Sequence, residues 1–495
     1  MKSRWIVLCL LVSGAPGCTV DIGAPKNLRG VHVVSDINRA DTIDARSSNP
    51  ILLRISDSTG RLDDTVTVVI AGIPNGSIEG SLGMFPLDDA GNSPSYLVFR
   101  TVEQASFRVK FGRRAGQGAI VVSVEELGLV DTLWFTVKPG APVRIAPAPS
   151  DAAVTVGGTY QQSAKVLDRA GNERDPTSPF TFSGLDPAAT VSAGGKVTGV
   201  AYGRTRIKVS YEALAETAMV SVVPTGRLAT VFGPLGLSDP SVVGTLTTDG
   251  SEPRRYATPY FVTAAVWSAD ATRIYYVGRP RSFLTPRIYS LTLADGTSSP
   301  LVPDTVSALS GALLASPAVS LDGAWIYFTT LLSAYGAPSG DIWRVHPDGT
   351  GLARVVGAGT AGSPYRRSPS PSPDGTKLAY AEEVTTNKNV IKILDLQSGT
   401  TLTITGPGAD EIRWSPTGDR IAVKGGGILY VVNVDGSQQT QLAPFSSYSP
   451  GVDWSPDGRW IVANLSGVLT ILEPTTTGLR LPLDFYCDGQ SWSPR

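Results

Sequence analysis

The stretch Val452–Asn464, VDWSPDGRWIVAN, decides the fold of this chain. Its two apolar runs, Val452–Trp454 and Ile461–Ala463, flank a turn in which Pro456 fixes φ and Gly458 tolerates a positive φ. Apolar runs separated by such a turn predict a β-hairpin. Trp454 carries more apolar surface than one small hairpin can bury, so we expect the hairpin to pack against neighbouring copies.

Such copies recur along the C-terminal half of the chain. They are Ala265–Tyr276, Ala318–Phe328, Ser370–Tyr380, Ile412–Val423 and the start of a sixth at Ser491–Arg495. The equivalent positions are spaced 52, 52, 43, 40 and 38 residues apart, and they are Trp267, Val319, Pro371, Trp414, Trp454 and Trp492. A second turn follows at Asp295-Gly296, Asp348-Gly349, Ser398-Gly399 and Asp435-Gly436. Two hairpins in each period of about 40 residues predict the four-stranded blades of a β-propeller.

The repeat W-S-P-D-G-x-x-I-A/V resembles the WD-like propeller repeat of TolB-like proteins, which also occurs in relatives of prolyl oligopeptidase. The resemblance covers Arg227–Arg495 and implies a propeller with partners in the cell envelope. Six ordered copies predict six blades. We expect Val242–Ala257 to supply the missing half of the sixth blade, with the terminal SWSPR closing the ring against it.

The chain before the propeller predicts two β-sandwiches. Short strands separated by turns are expected at Ile51–Ile55, Val66–Ile70, Tyr96–Arg100, Ser106–Phe111, Ala119–Val124 and Leu133–Val137. The segment Phe135–Pro147 resembles the junction between group 1 bacterial immunoglobulin-like domains, which places a first sandwich at residues 50–142. Residues 143–223 resemble a group 2 domain, through the landmarks Val154–Gly158, Asp168–Asn172, Ser183–Ala188 and Gly195–Val200.

The expected fold is therefore all-β: two immunoglobulin-like β-sandwiches followed by a six-bladed β-propeller at residues 227–495, with the boundary at Pro224–Gly226. The resemblance to immunoglobulin-like domains implies display or adhesion rather than a reaction.

The N-terminus reads as a targeting segment. Residues 1–17 have a charged start, the apolar run Trp5–Val12 and a small-residue cleavage region, as a signal peptide does. Cys18 follows Ala15-Pro16-Gly17 and resembles the modified cysteine of a bacterial lipoprotein, so residues 18–49 are expected to contain the lipid anchor, a tether and the start of the first sandwich. This predicts the cell envelope, at the outer membrane or cell surface. Secretion or a periplasmic location remains the alternative if Cys18 is not lipidated.

Net charge and cysteine content limit the classes of partner and the disulfide bonds that we expect. The net charge is −1, and removal of Lys2 and Arg4 with the signal peptide makes it −3, so nucleic-acid binding is not expected and membrane contact is expected only through the anchor. Cys487 would be the one mature cysteine besides the anchor, which leaves no pair for an intramolecular disulfide and predicts a buried thiol.

No catalytic, cofactor or metal site is predicted. The two histidines, His32 and His346, have no ligand partner at a useful spacing, and we expect both to be solvated. The adjacent acids Asp63-Asp64, Asp88-Asp89, Glu125-Glu126 and Glu382-Glu383 would alternate faces on a strand. The segment Asp168–Asp175 could ligate calcium, but a plain interstrand loop is the preferred interpretation.

The remaining candidate is a binding surface on the propeller loops, where arginine and aromatic side chains are typical interface anchors. The candidates are Arg279, Arg281, Trp343, Tyr365, Arg366, Arg367 and Arg413. They predict a non-enzymatic envelope protein that binds an envelope protein or an extracellular glycan. Two alternatives stay open: an adhesin that binds through the sandwiches, and a propeller hydrolase or lyase whose acids converge in the channel.

Overall fold

The computed structural model describes residues 30–33, 40–43, 51–56, 66–73, 84–87, 96–101, 104–233, 242–258, 261–279, 286–303, 309, 312–332, 340–357, 364–385, 388–445, 451–483 and 488–494. Within these ranges the regular elements are β-strands, with a turn of 3-10 helix at Glu125–Leu127, a 3-10 residue at Leu309 and no α-helix, which confirms the all-β prediction. The chain forms two compact units, Met1–Ala146 with Lys165–Pro179, and Pro147–Ala164 with Phe180–Arg495.

Nine strands in the first unit form two sheets around an apolar core. They are β1 Gly30–Val33, β2 Ala40–Thr42, β3 Ile51–Ser56, β4 Val66–Ile73, β5 Met84–Leu87, β6 Tyr96–Thr101, β7 Gln104–Phe111, β8 Gly116–Val124 and β9 Leu129–Lys138. Their orders are β1-β3-β7-β5 and β2-β9-β8-β4-β6. Burial alternates along β3, where Ile51, Leu53 and Ile55 are buried, and Phe111 meets Phe135 edge-on with ring centroids 6.2 Å apart.

All six strands that the sequence predicted in this part are present, and β1, β2 and β5 are additional. The segment Ala40–Thr42 has no apolar alternation, and it becomes a strand because it pairs in parallel with Thr136–Lys138 at the sheet edge. Tertiary pairing of this kind leaves no local signal in a sequence.

Ten strands follow before residue 224. They are β10 Pro142–Ala148, β11 Asp151–Thr155, β12 Thr159–Gln161, β13 Ser163–Asp168, β14 Glu173–Arg174, β15 Thr181–Gly184, β16 Ala189–Val191, β17 Lys196–Gly199, β18 Gly203–Tyr211 and β19 Leu214–Val223. Two sheets in the second unit have the orders β11-β19-β18-β15 and β12-β17-β16. Val154, Ile207, Val220 and Val222 form the core between them.

The described residues from 227 to 494 form six four-stranded sheets. The first is β23 Phe261–Trp267, β24 Arg273–Arg279, β25 Arg287–Thr292 and β26 Ser298–Pro300; the second is β27 Ala312–Val319, β28 Ile326–Leu332, β29 Gly340–Val345 and β30 Ala353–Val356. The third is β31 Arg366–Pro371, β32 Lys377–Thr385, β33 Lys388–Asp395 and β34 Thr401–Ile404; the fourth is β35 Glu411–Trp414, β36 Arg420–Gly425, β37 Ile428–Asn433 and β38 Thr440–Pro444. The fifth is β39 Val452–Trp454, β40 Ile461–Leu465, β41 Val468–Leu472 and β42 Arg480–Pro482; the sixth joins β20 Arg227–Phe232, β21 Val242–Thr247 and β22 Arg254–Tyr256 to β43 Asp488–Trp492.

These sheets close into a ring. The strands β23, β27, β31, β35, β39 and β43 contact one another in that order, and β43 also contacts β23. In the first five sheets this inner strand comes first in the sequence and pairs with the next strand in antiparallel fashion. The turn motif follows each inner strand, so these turns gather on one side of the ring, which we call the turn face.

The sixth sheet differs from the sequence-based expectation. The terminal strand β43 pairs with β20, through Leu228↔Trp492 and Ala229↔Ser491, and not with the segment Val242–Ala257. The start of the domain therefore contributes three strands rather than half a blade. The run RLATVF in β20 lacks a turn motif, so nothing in the repeat pattern marked it as a strand.

The repeated S-x-D-G motif is a hydrogen-bonded turn. In the third sheet the Ser372 hydroxyl donates to Asp374 Oδ1 at 2.6 Å and accepts the Lys377 N–H at 2.8 Å. The pairs Ser268/Asp270, Ser320/Asp322 and Ser455/Asp457 repeat this arrangement. The side chains of the motif therefore stabilise the hairpin turn in which they lie.

The joint at Pro224–Gly226 is closely packed. Val223 is fully buried in the core that contains Trp460, and the Ser221 hydroxyl donates to the Pro482 carbonyl at 3.0 Å. Tyr202 meets Trp460 edge-on, with ring centroids 5.1 Å apart. A Cβ on Gly226 would lie 2.4 Å from Trp492 Nε1, so only glycine fits this position.

Candidate functional site

A cavity of about 170 Å³ lies at the centre of the turn face. Turn residues from all six sheets line it, namely Ala269, Leu321, Pro373, Pro416, Pro456 and Pro494. Its deeper wall contains the ends of the inner strands, including Trp267, Trp414, Trp454 and Trp492. The ring geometry thus brings together residues that are more than 200 positions apart in the sequence.

Two charged side chains, Arg413 and Asp453, line this cavity. They occupy equivalent positions, each one residue before the tryptophan of its repeat, on the neighbouring strands β35 and β39. Asp453 Oδ1 accepts the N–H of Trp454 at 2.9 Å, and its Oδ2 accepts the N–H of Trp492 at 2.8 Å. The wall therefore presents a carboxylate beside a guanidinium.

The environment of Asp453 shifts its proton affinity upward. Burial raises the pKa of this carboxyl group, while Arg413 and the N–H donors of Trp492 and Trp454 lower it in part. The net result is a pKa above the ordinary value for aspartate. The Ser491 hydroxyl also contacts the carboxylate.

Arg413 is only partly engaged by its own protein. Its Nη1 donates to the Ile412 carbonyl at 2.9 Å, and its Nη2 lies 3.7 Å from Glu411 Oε1. Glu411 in turn accepts the N–H of Gly451 at 2.9 Å through its other oxygen. A guanidinium carries several N–H donors, so Arg413, which lines the cavity, retains further donors.

The tryptophan walls are fixed by hydrogen bonds between sheets. Trp454 Nε1 donates to the Arg413 carbonyl at 3.0 Å, and Trp267 Nε1 donates to the Ser491 carbonyl at 3.1 Å. Because each indole N–H has a partner, these rings present rigid apolar surface to the cavity.

Aspartates of the hairpin turns lie on the same face as the cavity, outside its lining. Neighbouring strands in each sheet run in opposite directions. Counted from the inner strand, the turn between the first and second strands and the turn between the third and fourth strands therefore both lie on the turn face. Hydroxyl and main-chain N–H donors lower the pKa of these carboxyl groups, which are Asp270, Asp295, Asp322, Asp348, Asp374, Asp395, Asp419 and Asp435. The pKa of Asp270 and of Asp374 falls to about 2, led by the hydroxyls of Ser268 and Ser372. The turn face is thus a ring of ionised carboxylates, with Arg273, Lys377, Arg420 and Arg459 among them.

Of the sequence-predicted binding residues, Arg413 lines the cavity, and the structure places the other described ones elsewhere. Tyr365, Arg366 and Arg367 lie together where β31 begins, which is the end of the inner strand opposite the turn face. Arg366 Nε is 2.8 Å from Glu382 Oε2, and Arg367 Nη2 is 2.6 Å from Asp410 Oδ1. The Arg367 guanidinium also covers the Tyr365 ring at 5.3 Å. Both arginines are therefore neutralised within the ring.

The other predicted binding residues are not part of this group. Arg279 ends β24 in the first sheet and is exposed, and Trp343 lies half-buried in β29 under Arg354. Arg281 lies outside the described residues. Whether any of these six side chains takes part in binding stays a prediction.

His346 is held more firmly than the sequence suggested. Its Nδ1 is 2.8 Å from the Ala324 carbonyl, and its ring stacks on Trp325 with centroids 3.8 Å apart. Arg344 covers the same indole at 4.1 Å. The expectation of a solvated turn histidine is therefore wrong for His346, and His32 lies in β1. Across the part of the chain that the structure describes, no three potential ligands come close enough to hold a metal ion.

The acidic pairs that fall on described residues have structural partners. Glu382 binds Arg366 and lies 3.7 Å from Lys392 Nζ, and Glu126 accepts the N–H of Thr67 at 3.1 Å. Asp63-Asp64 and Asp88-Asp89 lie outside the described residues.

The Asp168 carboxylate likewise accepts hydrogen bonds from nearby residues of the protein. Asp168 accepts the N–H groups of Ala170 and Asn172 through Oδ1 and that of Gly140 through Oδ2, at 2.8–2.9 Å. The Asn172 amide donates to Oδ2 as well. These bonds fit the plain interstrand loop that the sequence favoured.

Sequence reasoning missed Asp453, although the residue lies within the stretch that defines the repeat. A signal was available, because the residue before each tryptophan position faces the ring centre. Across the six copies these residues are Val266, Ala318, Ser370, Arg413, Asp453 and Ser491. Charge appears in two adjacent copies, and that pair marks the polar side of the cavity.

The predicted lipidation site Cys18 and the predicted buried thiol of Cys487 both lie outside the described residues. Among the residues that are described, no helix has the length and apolarity needed to cross a bilayer.

Comparison with protein-family models and with curated proteins finds no match. Among solved structures, TolB from Acinetobacter baumannii is 19% identical with a TM-score of 0.45, covering 64% of this chain and 83% of that one. A protein described as a TolB from Agrobacterium tumefaciens is 17% identical with a TM-score of 0.39, covering 54% and 92%. An oligogalacturonate lyase in complex with manganese is 13% identical with a TM-score of 0.36, covering 71% and 98%. TolB-type proteins are thus among the structural neighbours, and at these TM-scores the likeness carries no argument about function.

Proposed function

We propose that this chain is an exported envelope protein that binds a protein partner non-covalently at the turn face, with a segment of the partner entering the central cavity. In this proposal the six sheets are the blades of a β-propeller at residues 227–495. Residues 50–142 and 143–223 are two immunoglobulin-like sandwiches that form a stalk. Residues 1–17 are a signal peptide, and Cys18 carries the lipid anchor at the start of residues 18–49.

The observation that carries this proposal is the cavity in which Arg413 and Asp453 stand side by side among tryptophan walls. Concave apolar sites with a few convergent polar groups are typical ligand sites. The cavity volume of about 170 Å³ suits one inserted side chain rather than a whole domain. A binding mode with one anchor residue in a pocket is typical of protein interfaces.

The acidic turns indicate the charge of the partner. Their carboxylates are ionised at neutral pH, which lies well above the ordinary pKa of aspartate, and hydrogen bonds lower the pKa of Asp270, Asp322 and Asp374 further. A ring of negative charge favours the approach of a basic surface and weakens with added salt. We therefore expect lysine or arginine residues to flank the inserted segment.

The hydrogen bonds of two acids near the ring centre, Glu411 and Asp453, favour binding over catalysis. A propeller hydrolase or lyase would need two carboxylates free to exchange protons or to attack a substrate. Glu411 instead accepts the Gly451 N–H, and Asp453 accepts the N–H groups of Trp454 and Trp492. Both acids therefore hold the ring together through main-chain groups.

The test is site-specific photo-crosslinking of the full chain in an envelope extract. One crosslinking residue replaces Leu321, which is 55% exposed at the cavity rim. A matched probe replaces Val468, which is 46% exposed and follows the turn between β40 and β41 on the opposite face. A third replaces Trp134, which is 58% exposed on the sandwich of the first unit.

We expect a protein adduct at position 321 alone, and we expect it to weaken as ionic strength rises. An adduct at position 134 alone would favour the adhesin, and one at position 468 alone would place binding on the other face. No adduct at any of the three positions would contradict the proposal.

A further inference from the structure

The unused hydrogen-bonding groups of Arg413 and Asp453 indicate which kind of ligand group the cavity wall can bind. Arg413 has one hydrogen bond to a main-chain carbonyl and a distant contact with Glu411, and among the described residues its remaining donors have no further hydrogen-bond partner. A carboxylate accepts up to about four hydrogen bonds, and the Asp453 carboxylate uses three with Trp454, Trp492 and Ser491. The wall thus offers donors from one residue and an acceptor from its neighbour.

The charges at this wall disfavour an ionic ligand. An anion that approached Arg413 would also meet Asp453 and Glu411, and a cation that approached Asp453 would meet Arg413. The rest of the lining is tryptophan, proline, valine, alanine and leucine with five serines, and it offers no further charge to pair with a buried ion, which makes burial of that ion costly. A neutral ligand group that carries a hydrogen-bond donor next to an acceptor buries no charge of its own, and it can form hydrogen bonds with both Arg413 and Asp453.

We propose that the cavity takes the carboxamide of a glutamine or asparagine side chain from the partner. Its carbonyl oxygen accepts from the Arg413 guanidinium, and its NH₂ group donates to the Asp453 carboxylate. The methylene groups of the same side chain lie against Trp414 and Trp454. An engineered cavity of about 150 Å³ holds one benzene molecule, so a volume of about 170 Å³ admits one such side chain. This inference rests on the proposed function, because it names the group that the partner inserts.

The probes are peptides of the form Lys-Gly-X-Gly-Lys that end in an N-methylamide, so that X carries the one possible primary carboxamide. The residue X is glutamine, glutamate, lysine or methionine, which are unbranched at Cβ and Cγ and similar in length, and which differ in charge and hydrogen bonding. The flanking lysines suit the acidic turns. Binding to the full chain is measured by isothermal titration calorimetry at low salt.

We expect the glutamine peptide to bind at least about tenfold more tightly than the other three, since a mismatched group leaves buried donors or acceptors unpaired. Arg413→Met should reduce the glutamine peptide to the affinity of the methionine peptide. Arg413→Lys, which keeps the charge but loses the planar fork, should give an intermediate value and guards against a folding defect. Lys388→Met, at an exposed residue where β33 begins on the face opposite the turns, should leave the ranking unchanged.

Other outcomes separate this inference from the proposed function. Equal affinity for all four peptides, or tightest binding by the glutamate peptide, would overturn the carboxamide assignment. If no peptide bound while position 321 still crosslinked a protein, the assignment would fail and the turn face would stand as the binding surface. Arg413-dependent binding of chitobiose in place of any peptide would mean that an N-acetyl sugar is recognised, and the protein partner would be wrong.

Discussion

The carboxylate of Asp453 accepts the main-chain N–H of Trp492 across a sheet boundary, at an oxygen–nitrogen distance of 2.8 Å. Asp453 belongs to the fifth sheet, whereas Trp492 ends the strand β43 in the sixth. On the other side of β43, Trp267 Nε1 donates to the Ser491 carbonyl at 3.1 Å. The last strand of the chain is therefore held from both neighbours, and the ring closes through side chains as well as through pairing with β20.

Removal of this bond should loosen the ring closure. Asp453→Ala leaves the Trp492 N–H without its acceptor in a buried position, and we expect it to lower the free energy of unfolding by about 1–3 kcal/mol. Urea denaturation followed by tryptophan fluorescence measures this change. Asp435→Ala, at an exposed second turn, is the control and should change stability by less than about 1 kcal/mol. Equal effects of the two variants would contradict a special role for Asp453.

The turn carboxylates should give the ring an acid-sensitive stability. Hydrogen bonds from Ser372 and Thr376 lower the pKa of Asp374 to about 2. The folded state therefore binds this proton more weakly than the unfolded state, so the contribution to stability is present above the ordinary aspartate pKa of 3.8 and is lost as the pH falls through about 2. Asp374→Asn should thus lower stability at neutral pH and make little difference near pH 2. Urea midpoints of both proteins across this range test the prediction, and a constant gap down to pH 2 would contradict it.

The turn motif itself makes a prediction about serine. Ser455 is buried, and its hydroxyl accepts the Trp460 N–H at 2.9 Å while it donates to Asp457. Ser455→Ala leaves that N–H unpaired, so we expect a loss of about 1–3 kcal/mol in unfolding free energy. Ser437→Ala is a matched control, because Ser437 donates to Asp435 in an exposed turn and should cost less than about 1 kcal/mol. The comparison fails if the two alanine variants unfold at the same urea concentration.

The repeat allowed much of the ring to be predicted from the sequence, and the reason is local. The Ser372–Asp374 bond spans two residues, so the motif carries its own hydrogen bonds wherever it recurs. The strand β20 was missed because its apolar run has no such turn beside it. The cavity was missed because Arg413 and Asp453 are forty residues apart and meet only through the register of neighbouring inner strands.

The same limit explains the predicted arginine surface. Arg366 and Glu382 are cross-strand partners in β31 and β32, sixteen residues apart in the chain. A sequence shows both residues as separate loop charges. The structure shows side chains that are only 12% and 14% exposed, which makes the pair part of the ring.

Because of this ion pair, we expect Arg366 to contribute to the free energy of unfolding. Arg366→Met would leave Glu382 largely buried with the more distant Lys392, so we expect a loss of about 2–4 kcal/mol in unfolding free energy. The double variant Arg366→Met/Glu382→Leu should recover most of that loss, because it removes the stranded charge. Arg279→Met is the control at an exposed position and should stay within about 0.5 kcal/mol of the parent protein. Chemical denaturation of the four proteins decides the matter, and a neutral Arg366→Met would show that the ion pair contributes nothing.

The contact of Tyr202 with Trp460 should couple the last strands before the joint to the ring. Trp460 is 2% exposed, and its edge-on contact with Tyr202 at 5.1 Å crosses from the loop after β17 to the fifth sheet. Trp460→Ala should cost about 3–5 kcal/mol because it empties a large core position, and Tyr202→Ala should cost less because Tyr202 is 37% exposed. In a double-mutant cycle we expect a coupling energy of about 0.5–1.5 kcal/mol, as for other aromatic pairs. Leu185→Ala, which removes an exposed side chain before β16, serves as the uncoupled partner in a parallel cycle with Trp460→Ala. Coupling of the same size in both cycles would mean that the aromatic contact adds nothing to the joint.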